Sequence, residues 1–275
     1  MPVMYEDSTH RLWDCETKQG TMILKVCNSD NVAESTFWQG MSSLFAVDLP
    51  QQLNEFESVF NMLTKLDTLV IPDFIAAGSM TEDENAFIVV KKVSGTMVTI
   101  EDVDDGMVID LAKHLAKLHS QTNIKWGRLG QTELGSGLWV QRLKITLDSL
   151  GKKQSLVVPR QILAEAIELA DQCIVEQFVP IMLDLRWDQF LQENGVLSAL
   201  VDLDAFVYGP RELELVLLEY IFDEQQTLLF SKAYQQYHSM PDLSPVRTAY
   251  RLLLFLMNVL GEKSVDAWMQ APTRF

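Results

Sequence analysis

Residues 180–204, PIMLDLRWDQFLQENGVLSALVDLD, are the most informative stretch of this chain. Two short apolar runs, Pro180–Leu183 and Leu197–Leu203, are typical of β-strands, and the Glu-Asn-Gly sequence between them indicates a turn. A carboxylate accompanies each run, because Asp184 follows the first and Asp202 lies within the second. The stretch therefore predicts a small β-structure that presents two acidic side chains.

The chain before this stretch alternates between strand and helix patterns. β-Rich runs flank a Lys-Gln-Gly turn signal, and apolar residues further on recur at steps of three and four, which is the helix period. The predicted elements are a β-hairpin of Arg11–Cys15 and Thr21–Cys27, a helix over 53–66, and strands at Leu69–Pro72 and Ala86–Val90.

From about residue 96 the apolar pattern becomes helical. The predicted helices cover residues 108–119, 138–150, 159–178, 212–229 and 245–260. Strands in one block and helices in another indicate an α+β fold. We expect two lobes: a small β-rich N-terminal lobe of residues 1–95 with one helix, and a larger, mainly helical C-terminal lobe of residues 96–275.

The net charge limits the partners of the protein. The 275 residues include 38 Asp and Glu against 22 Lys and Arg, which leaves a net charge of −16. A surface of this sign repels the nucleic-acid backbone and anionic lipid. We therefore expect neither nucleic acid nor a membrane surface as a partner.

The cysteines and the apolar runs indicate the cellular compartment in which the protein resides. Cys15, Cys27 and Cys173 lack the paired spacing of a zinc site or a disulfide framework, which favours free thiols. The first residues show no targeting pattern, and the longest apolar run, near Leu252, is far shorter than the ~20 residues that span a bilayer. We expect a protein of the reducing cytoplasm.

Lys25 is the first candidate for chemistry, because it interrupts an apolar strand. Most lysines in such places face solvent or lie on an edge strand. Here a helix that carries Glu55 and Glu57 follows, then two strands and a stop at Gly95. Protein-kinase-like folds deliver a phosphate-binding lysine, its helix carboxylate and a hinge in this order.

Asp184, Gln189 and Asp202 form a second candidate group. Phosphoryl transfer needs an acceptor for the proton of the substrate hydroxyl and oxygen ligands for Mg²⁺. One loop carboxylate, one amide oxygen and one strand-end carboxylate supply that set. The alternative is that both aspartates are strand-end residues that accept hydrogen bonds from loop amides.

Four segments resemble the aminoglycoside phosphotransferase and choline kinase-like family, in a divergent bacterial branch. Met182–Leu191 resembles its catalytic segment, normally His-Gly-Asp-Leu-His-x-x-Asn, and Val201–Asp204 resembles its metal-binding strand end. Gly209–Leu215 resembles its Gly-Asp-Pro-x-x-Asp-Leu helix start, and Leu111–His119 is similar to its Leu-x-x-Leu-His helix. The resemblance covers nearly the whole chain and implies a two-lobed, protein-kinase-like fold.

The resemblance implies roles for the candidate residues of the C-terminal lobe. Asp184 corresponds to the catalytic base, while Gln189 and Asp202 correspond to the Mg²⁺ ligands. The implied reaction moves the γ-phosphate of ATP to a hydroxyl of a small metabolite. Neighbouring side chains that could contact this substrate are Arg186, Trp187 and Asp204.

The resemblance also implies a nucleotide site in the N-terminal lobe. Lys25 corresponds to the lysine that contacts the α- and β-phosphates, with Glu55, in preference to Glu57, as its partner. The hinge whose backbone contacts adenine corresponds to Val90, Lys91 and Val93, and the phosphate-covering turn corresponds to Ser8 and Thr9.

Departures from the family pattern leave two interpretations open. Met182 replaces the first His, Leu183 the Gly, Arg186 the second His and Gln189 the Asn, and the phosphate-covering turn lacks glycine. One interpretation is a divergent, active ATP-dependent phosphotransferase. The other is a catalytically impaired, pseudokinase-like protein that binds a nucleotide or a protein partner. A plain metabolite-binding module is a third interpretation.

Overall fold

The computed structural model of the chain describes residues 9–79 and 86–275. Its N-terminal sheet consists of β1 (His10–Thr17), β2 (Gly20–Cys27), β3 (Phe74–Ser79) and β4 (Ala86–Lys91). The strands are antiparallel in the order β1-β2-β4-β3, so β2 lies inside the sheet. The predicted hairpin and the predicted strand at 86–90 are thereby confirmed.

Four helices connect β2 to β3: α1 (Ser29–Glu34), α2 (Thr36–Phe45), α3 (Leu49–Gln52) and α4 (Phe56–Thr64). The helix predicted over 53–66 is present as a 3₁₀ turn that leads into α4. The sequence pattern does not predict α1 and α2, since their Ser, Thr, Asn and Gly residues are poor helix formers. Side-chain caps compensate, because Asn28 and Ser35 accept hydrogen bonds from the first turns of α1 and α2.

The remaining elements belong to the second part of the chain. The strands are β5 (Thr96–Met97), β6 (Lys125–Arg128), β7 (Leu134–Gly135), β8 (Val179–Met182), β9 (Phe190–Glu193), β10 (Val196–Leu200) and β11 (Phe206–Gly209). The helices are α5 (Asp105–His119), α6 (Trp139–Lys153), α7 (Arg160–Leu169), α8 (Arg211–Ile221), α9 (Glu224–Tyr234), α10 (Arg247–Leu256) and α11 (Val265–Met269). The expected α+β architecture, a β-sheet lobe with a helical region, is confirmed.

Helix α2 packs against the helical region rather than against the N-terminal sheet. The Phe45 ring contacts the buried Trp126 and Trp139 rings, with centroids 6.0 and 5.8 Å away. The Arg142 guanidinium of α6 donates to backbone carbonyls at the C-terminal end of α2, including that of Leu44. Helix α2 is thereby joined to the helical region, and the division into lobes at residue 95 stays a prediction.

We expect Arg142→Gln to lower the free energy of unfolding by about 1–3 kcal/mol, because the carbonyls at the end of α2 lose their charged donor. Urea denaturation measures this loss. Lys153→Ala is the matched control, since Lys153 joins the same two helices through an exposed hydrogen bond to Gln39. If both variants lose the same free energy of unfolding, the Arg142 hydrogen bonds do not stabilise the end of α2.

Three predicted elements differ from the observed ones, each for a local reason. The helix predicted over 212–229 is divided into α8 and α9, because Asp223 forms a capping box with Gln226 and starts a new helix. The helix predicted over 159–178 is shorter, since α7 ends at Leu169. The strand predicted at 69–72 is reduced to a parallel bridge between Val70 and Ala199, and β3 begins only after Pro72.

Two sheets of the second part bring distant segments together. One has the order β7-β6-β11-β8 and the other the order β10-β9-β5. Within residues 9–79 and 86–275, no helix has the length and apolarity that a membrane crossing requires.

Candidate active site

The ends of β8, β9 and β10 place three of the predicted residues side by side. Asp184 lies two residues after β8, and Gln189 lies in the 3₁₀ turn that leads into β9. Asp202 follows β10, and the Val201 N–H donates to the Gln189 carbonyl at 3.0 Å. Asp184 is joined to the same group, because the Gln189 Nε2 donates to its Oδ2 at 3.2 Å.

Lys25 reaches this group from the N-terminal sheet. Its Nζ lies 2.6 Å from Asp202 Oδ1 and also contacts Asp204 Oδ2. The Lys25 side chain is 17% exposed, so the ion pairs lie largely out of solvent. The contact joins β2 to the loop after β10. The space beside Lys25, Asp184 and Asp202, called the cleft below, therefore lies where the N-terminal sheet meets the second part of the chain.

Asp184 lies in an environment that favours its protonated form. Burial raises its pKa to about 7, and the negative charges of Asp202 and Asp188 act in the same direction. Arg186 partly offsets them, with its Nε 3.5 Å from Asp184 and 3.3 Å from Asp188. A carboxylate with a pKa near 7 is suited to accept a proton at neutral pH.

The two carboxylates that contact Lys25, those of Asp202 and Asp204, have pKa values shifted in opposite directions. Burial acts to raise the pKa of Asp202, but the charge and the hydrogen bond of Lys25 outweigh it and leave that pKa below the usual range. Burial raises the pKa of Asp204 to about 6, with the Asp202 charge adding to the effect. Burial also disfavours the charged form of Lys25, yet the two carboxylates together raise its pKa. Lys25 is therefore cationic at neutral pH.

A buried glutamate supports the strand that precedes Asp184. Glu214 of α8 is completely buried and accepts hydrogen bonds from the Met182 N–H at 2.6 Å and from His119 Nε2 at 2.8 Å. The other ring nitrogen of His119 lies 2.7 Å from the Tyr234 hydroxyl. The sequence patterns did not single out Glu214, although it occupies the place of the second Asp in the Gly-Asp-Pro-x-x-Asp-Leu pattern.

The expected pairing of Lys25 with a helix carboxylate does not occur in the structure. Glu55 instead pairs with Arg128 of β6, at 3.3 Å from its Nη1, and Glu57 is exposed. The segment before α4 is a 3₁₀ turn that faces β6, which explains why Glu55 is directed toward Arg128.

The predicted hinge lies at the end of β4, whose last two residues are Val90 and Lys91. The backbone N–H groups of Lys91 and Lys92 donate to the carbonyls of Asp73 and Thr21, at 2.9 and 3.0 Å. Val93 comes next, after β4 has ended. Val90 lies opposite Ile23, which places both on the same face of the sheet as Lys25.

The predicted phosphate-covering turn is only partly described. Ser8 lies outside the described residues, and Thr9 Oγ1 lies 3.1 Å from His10 Nδ1.

The three weaker substrate candidates have different surroundings. Trp187 is only 7% exposed and packs against Phe190 and Phe222, so it supports the loop and does not offer a ring face to a ligand. Asp204 is also buried and is occupied with Lys25. Arg186 keeps 40% of its side chain exposed and can contact an anionic group in the cleft.

The donor set partly fits a magnesium ion. Across the part of the chain that is described, no group of three His, Cys, Asp or Glu side chains could hold a metal by itself. Mg²⁺, however, usually takes one or two carboxylates and completes its shell with water and nucleotide phosphates. Asp202 suits this arrangement, since its side chain is 38% exposed beside Asp184. Gln189 is 4% exposed with its amide donated to Asp184, and its role as a ligand stays a prediction.

The solved structures that this chain resembles include phosphotransferases. The structure of a putative fructosamine-3-kinase from Haemophilus somnus 129PT has a TM-score of 0.62 and 14% identity, and the match covers 97% of this chain and 87% of that one. For macrolide 2'-phosphotransferase MphH from Brachybacterium faecium the TM-score is 0.61 and the identity 13%, with 98% and 91% covered. At these identities the likeness shows the fold.

A third similar structure contains ligands. It is a mutant of aminoglycoside phosphotransferase APH(4)-Ia in a ternary complex with ADP and hygromycin B, with a TM-score of 0.60, 14% identity, and 94% and 86% of the two chains covered. No curated protein sequence matches this chain. The family model described as "Phosphotransferase enzyme family" matches residues 6–253. With so much of its length matched, this chain belongs to the phosphotransferase enzyme family.

Proposed function

We propose that the protein transfers the γ-phosphate of ATP to a hydroxyl group of a small metabolite. The observation that carries the proposal is the contact between Lys25 and Asp202, which joins a cation of one lobe to an accessible carboxylate of the other beside Asp184. A polyphosphate needs cations, and in a protein with a net charge of −16 it needs them close by, because the overall field repels phosphate. The cleft is thus the favoured place for a nucleotide.

The base of the nucleotide is assigned to the apolar face beside Lys25. Ile23 and Val90 lie on this face, and Leu12 lies opposite Lys25 with 40% of its surface exposed. An exposed leucine at this place can cover a planar ring. The backbone of Val93, just beyond β4, is the proposed hydrogen-bonding partner of adenine.

The reaction is assigned to the other side of the cleft. Asp184 accepts the proton of the acceptor hydroxyl as its oxygen bonds to the γ-phosphorus, and the bond from that phosphorus to the β–γ bridging oxygen breaks to release ADP. Lys25 holds the phosphates by its charge, and Asp202 is the residue that would hold Mg²⁺. Bound there, Mg²⁺ would neutralise charge on the phosphates.

We expect millimolar ATP or ADP to raise the melting temperature in a magnesium-dependent way. A ligand at a hundredfold excess over its Kd stabilises by roughly 2.7 kcal/mol, which corresponds to a shift of several degrees for a chain of this size. Asp202→Asn should lose the magnesium-dependent part of the shift, because it removes the accessible carboxylate. Thermal denaturation measures both, and an absent shift in the wild type would contradict the proposal.

A second candidate function, nucleotide binding without catalysis, is favoured by one contact. The Gln189 amide donates to Asp184, which ties up an oxygen of the proposed base. Phosphate release from ATP over a panel of hydroxylated metabolites separates the two functions. Binding without turnover on sugars, amino sugars and amino alcohols would support the second.

A further inference from the structure

Lys25 needs a partner that keeps its ammonium in place when a nucleotide binds. A phosphate-binding lysine of this kind is held by an ion pair, which in protein kinases comes from a helix glutamate. Asp202 cannot serve alone, because its accessible carboxylate is the one proposed to hold Mg²⁺. A second carboxylate must therefore remain with Lys25.

Asp204 has the position and the burial for this task. Its Oδ2 contacts Lys25 Nζ, and its side chain is 8% exposed, against 38% for Asp202. Asp204 is also covered by the buried His10, whose Nε2 lies 3.4 Å from its Oδ2. A ligand in the cleft can approach Asp202 but not Asp204.

The helix carboxylate is separated from Lys25. A small cavity of about 20 Å³, lined by Gln52, Glu55, Arg128 and Asp204 among others, lies between α4 and the loop that carries Asp204. This volume is enough for about one water molecule. Glu55 lines this cavity and pairs with Arg128, whereas Asp204 lines it and also contacts Lys25.

We infer that Asp204 is the positioning residue for Lys25 and replaces the helix glutamate in this task. In the ligand-free cleft Lys25 is shared between Asp202 and Asp204. When a nucleotide and Mg²⁺ engage Asp202, Lys25 keeps Asp204 and directs its remaining donors to the phosphates. The part that concerns the nucleotide rests on the proposed function, whereas the ion pair itself does not.

A double-mutant cycle on the ligand-free protein tests the pair. Lys25→Met, Asp204→Asn and the double variant are unfolded in urea, and a second cycle combines Lys25→Met with Glu55→Gln. If Lys25 and Asp204 interact, the unfolding equilibrium constant of the double variant differs from the value expected for two independent substitutions. We expect a difference of about tenfold, which is about 1.4 kcal/mol. The substitutions of Lys25 and Glu55 should change the unfolding equilibrium constant independently of each other. Independence of Lys25 and Asp204, or coupling of Lys25 to Glu55, would overturn the inference.

Measurements of the KM for ATP and of nucleotide affinity distinguish a positioning role of Asp204 from a purely structural one. In Asp204→Asn the KM for ATP should rise about tenfold, and Asp204→Glu should recover part of the loss because it restores the charge. In the Lys25→Met background, Asp204→Asn should have no further effect on nucleotide affinity. A KM unchanged in Asp204→Asn would overturn the positioning role. If ATP neither binds nor reacts with the wild type, the proposed function fails, while the urea cycles still decide the ion pair.

Discussion

Replacing Asp184 by Asn is expected to lower kcat for phosphate transfer by roughly 10²–10⁴-fold and to leave nucleotide binding within a few-fold of the wild type. The amide keeps the shape of the carboxyl group but cannot accept the hydroxyl proton. Steady-state kinetics with an accepted metabolite and calorimetric titration with ADP measure the two quantities. A variant that keeps wild-type kcat would remove Asp184 from the reaction.

The same variant is expected to be more stable than the wild type in the absence of nucleotide and metal. Burial raises the pKa of folded Asp184 to about 7, well above the ordinary value near 3.9, so the folded state binds its proton more tightly than the unfolded state. The stability this group contributes is fully present below about pH 4 and is lost as the pH rises toward 7. At pH 8, Asp184→Asn should therefore be stabilised by roughly 1–3 kcal/mol.

Urea denaturation between pH 4 and pH 8 checks this dependence. Asp171→Asn is the matched control, because Asp171 is 63% exposed in a surface pair with Lys144. The Asp184 variant should show a smaller loss of stability with rising pH than the control. Identical pH profiles would mean that the folded protein does not hold the Asp184 proton.

The second large effect is expected for Glu214→Gln, which should lower the free energy of unfolding by about 2–4 kcal/mol. The Glu214 carboxylate accepts from two buried donors, the Met182 N–H and His119 Nε2. An amide offers one accepting oxygen and one donating nitrogen, so it cannot accept from both groups, and His119 must change its tautomer to accept from the amide. Because Met182 ends the strand before Asp184, kcat should fall as well.

Denaturation and kinetics on Glu214→Gln are compared with Glu212→Gln. Glu212 lies on the same helix and is partly exposed, in a loose pair with Arg211 at 3.5 Å. Its replacement should change stability by less than about 0.5 kcal/mol. If the two variants lose stability equally, the buried network does not hold the strand end.

Local patterns in the sequence were sufficient for much of the fold. The alternation around Lys25 predicts the hairpin of β1 and β2, and the apolar runs around Asp184 and Asp202 predict the strands that carry them. The family resemblance named the same three residues, and the structure brings them together. Their roles in a reaction stay predictions.

Other features depended on contacts between distant segments. Helix α2 has little intrinsic helix propensity, and it is held by Trp126, Trp139 and Arg142, which come about a hundred residues later. The pattern of apolar residues in 29–45 does not indicate those partners. The division of the helix predicted over 212–229 has instead a local cause, the capping box that Asp223 forms with Gln226.

The order of residues along the chain was enough to identify those that could carry chemistry: a lysine within a strand and two aspartates at strand ends, in an order typical of phosphotransferases. Their pairing, in contrast, became visible only in the folded chain. Glu55 is directed to Arg128, and Lys25 is left to Asp202 and Asp204. The physical reason is that an ion pair depends on distances of a few ångströms between segments far apart in the chain, and those distances are set by packing.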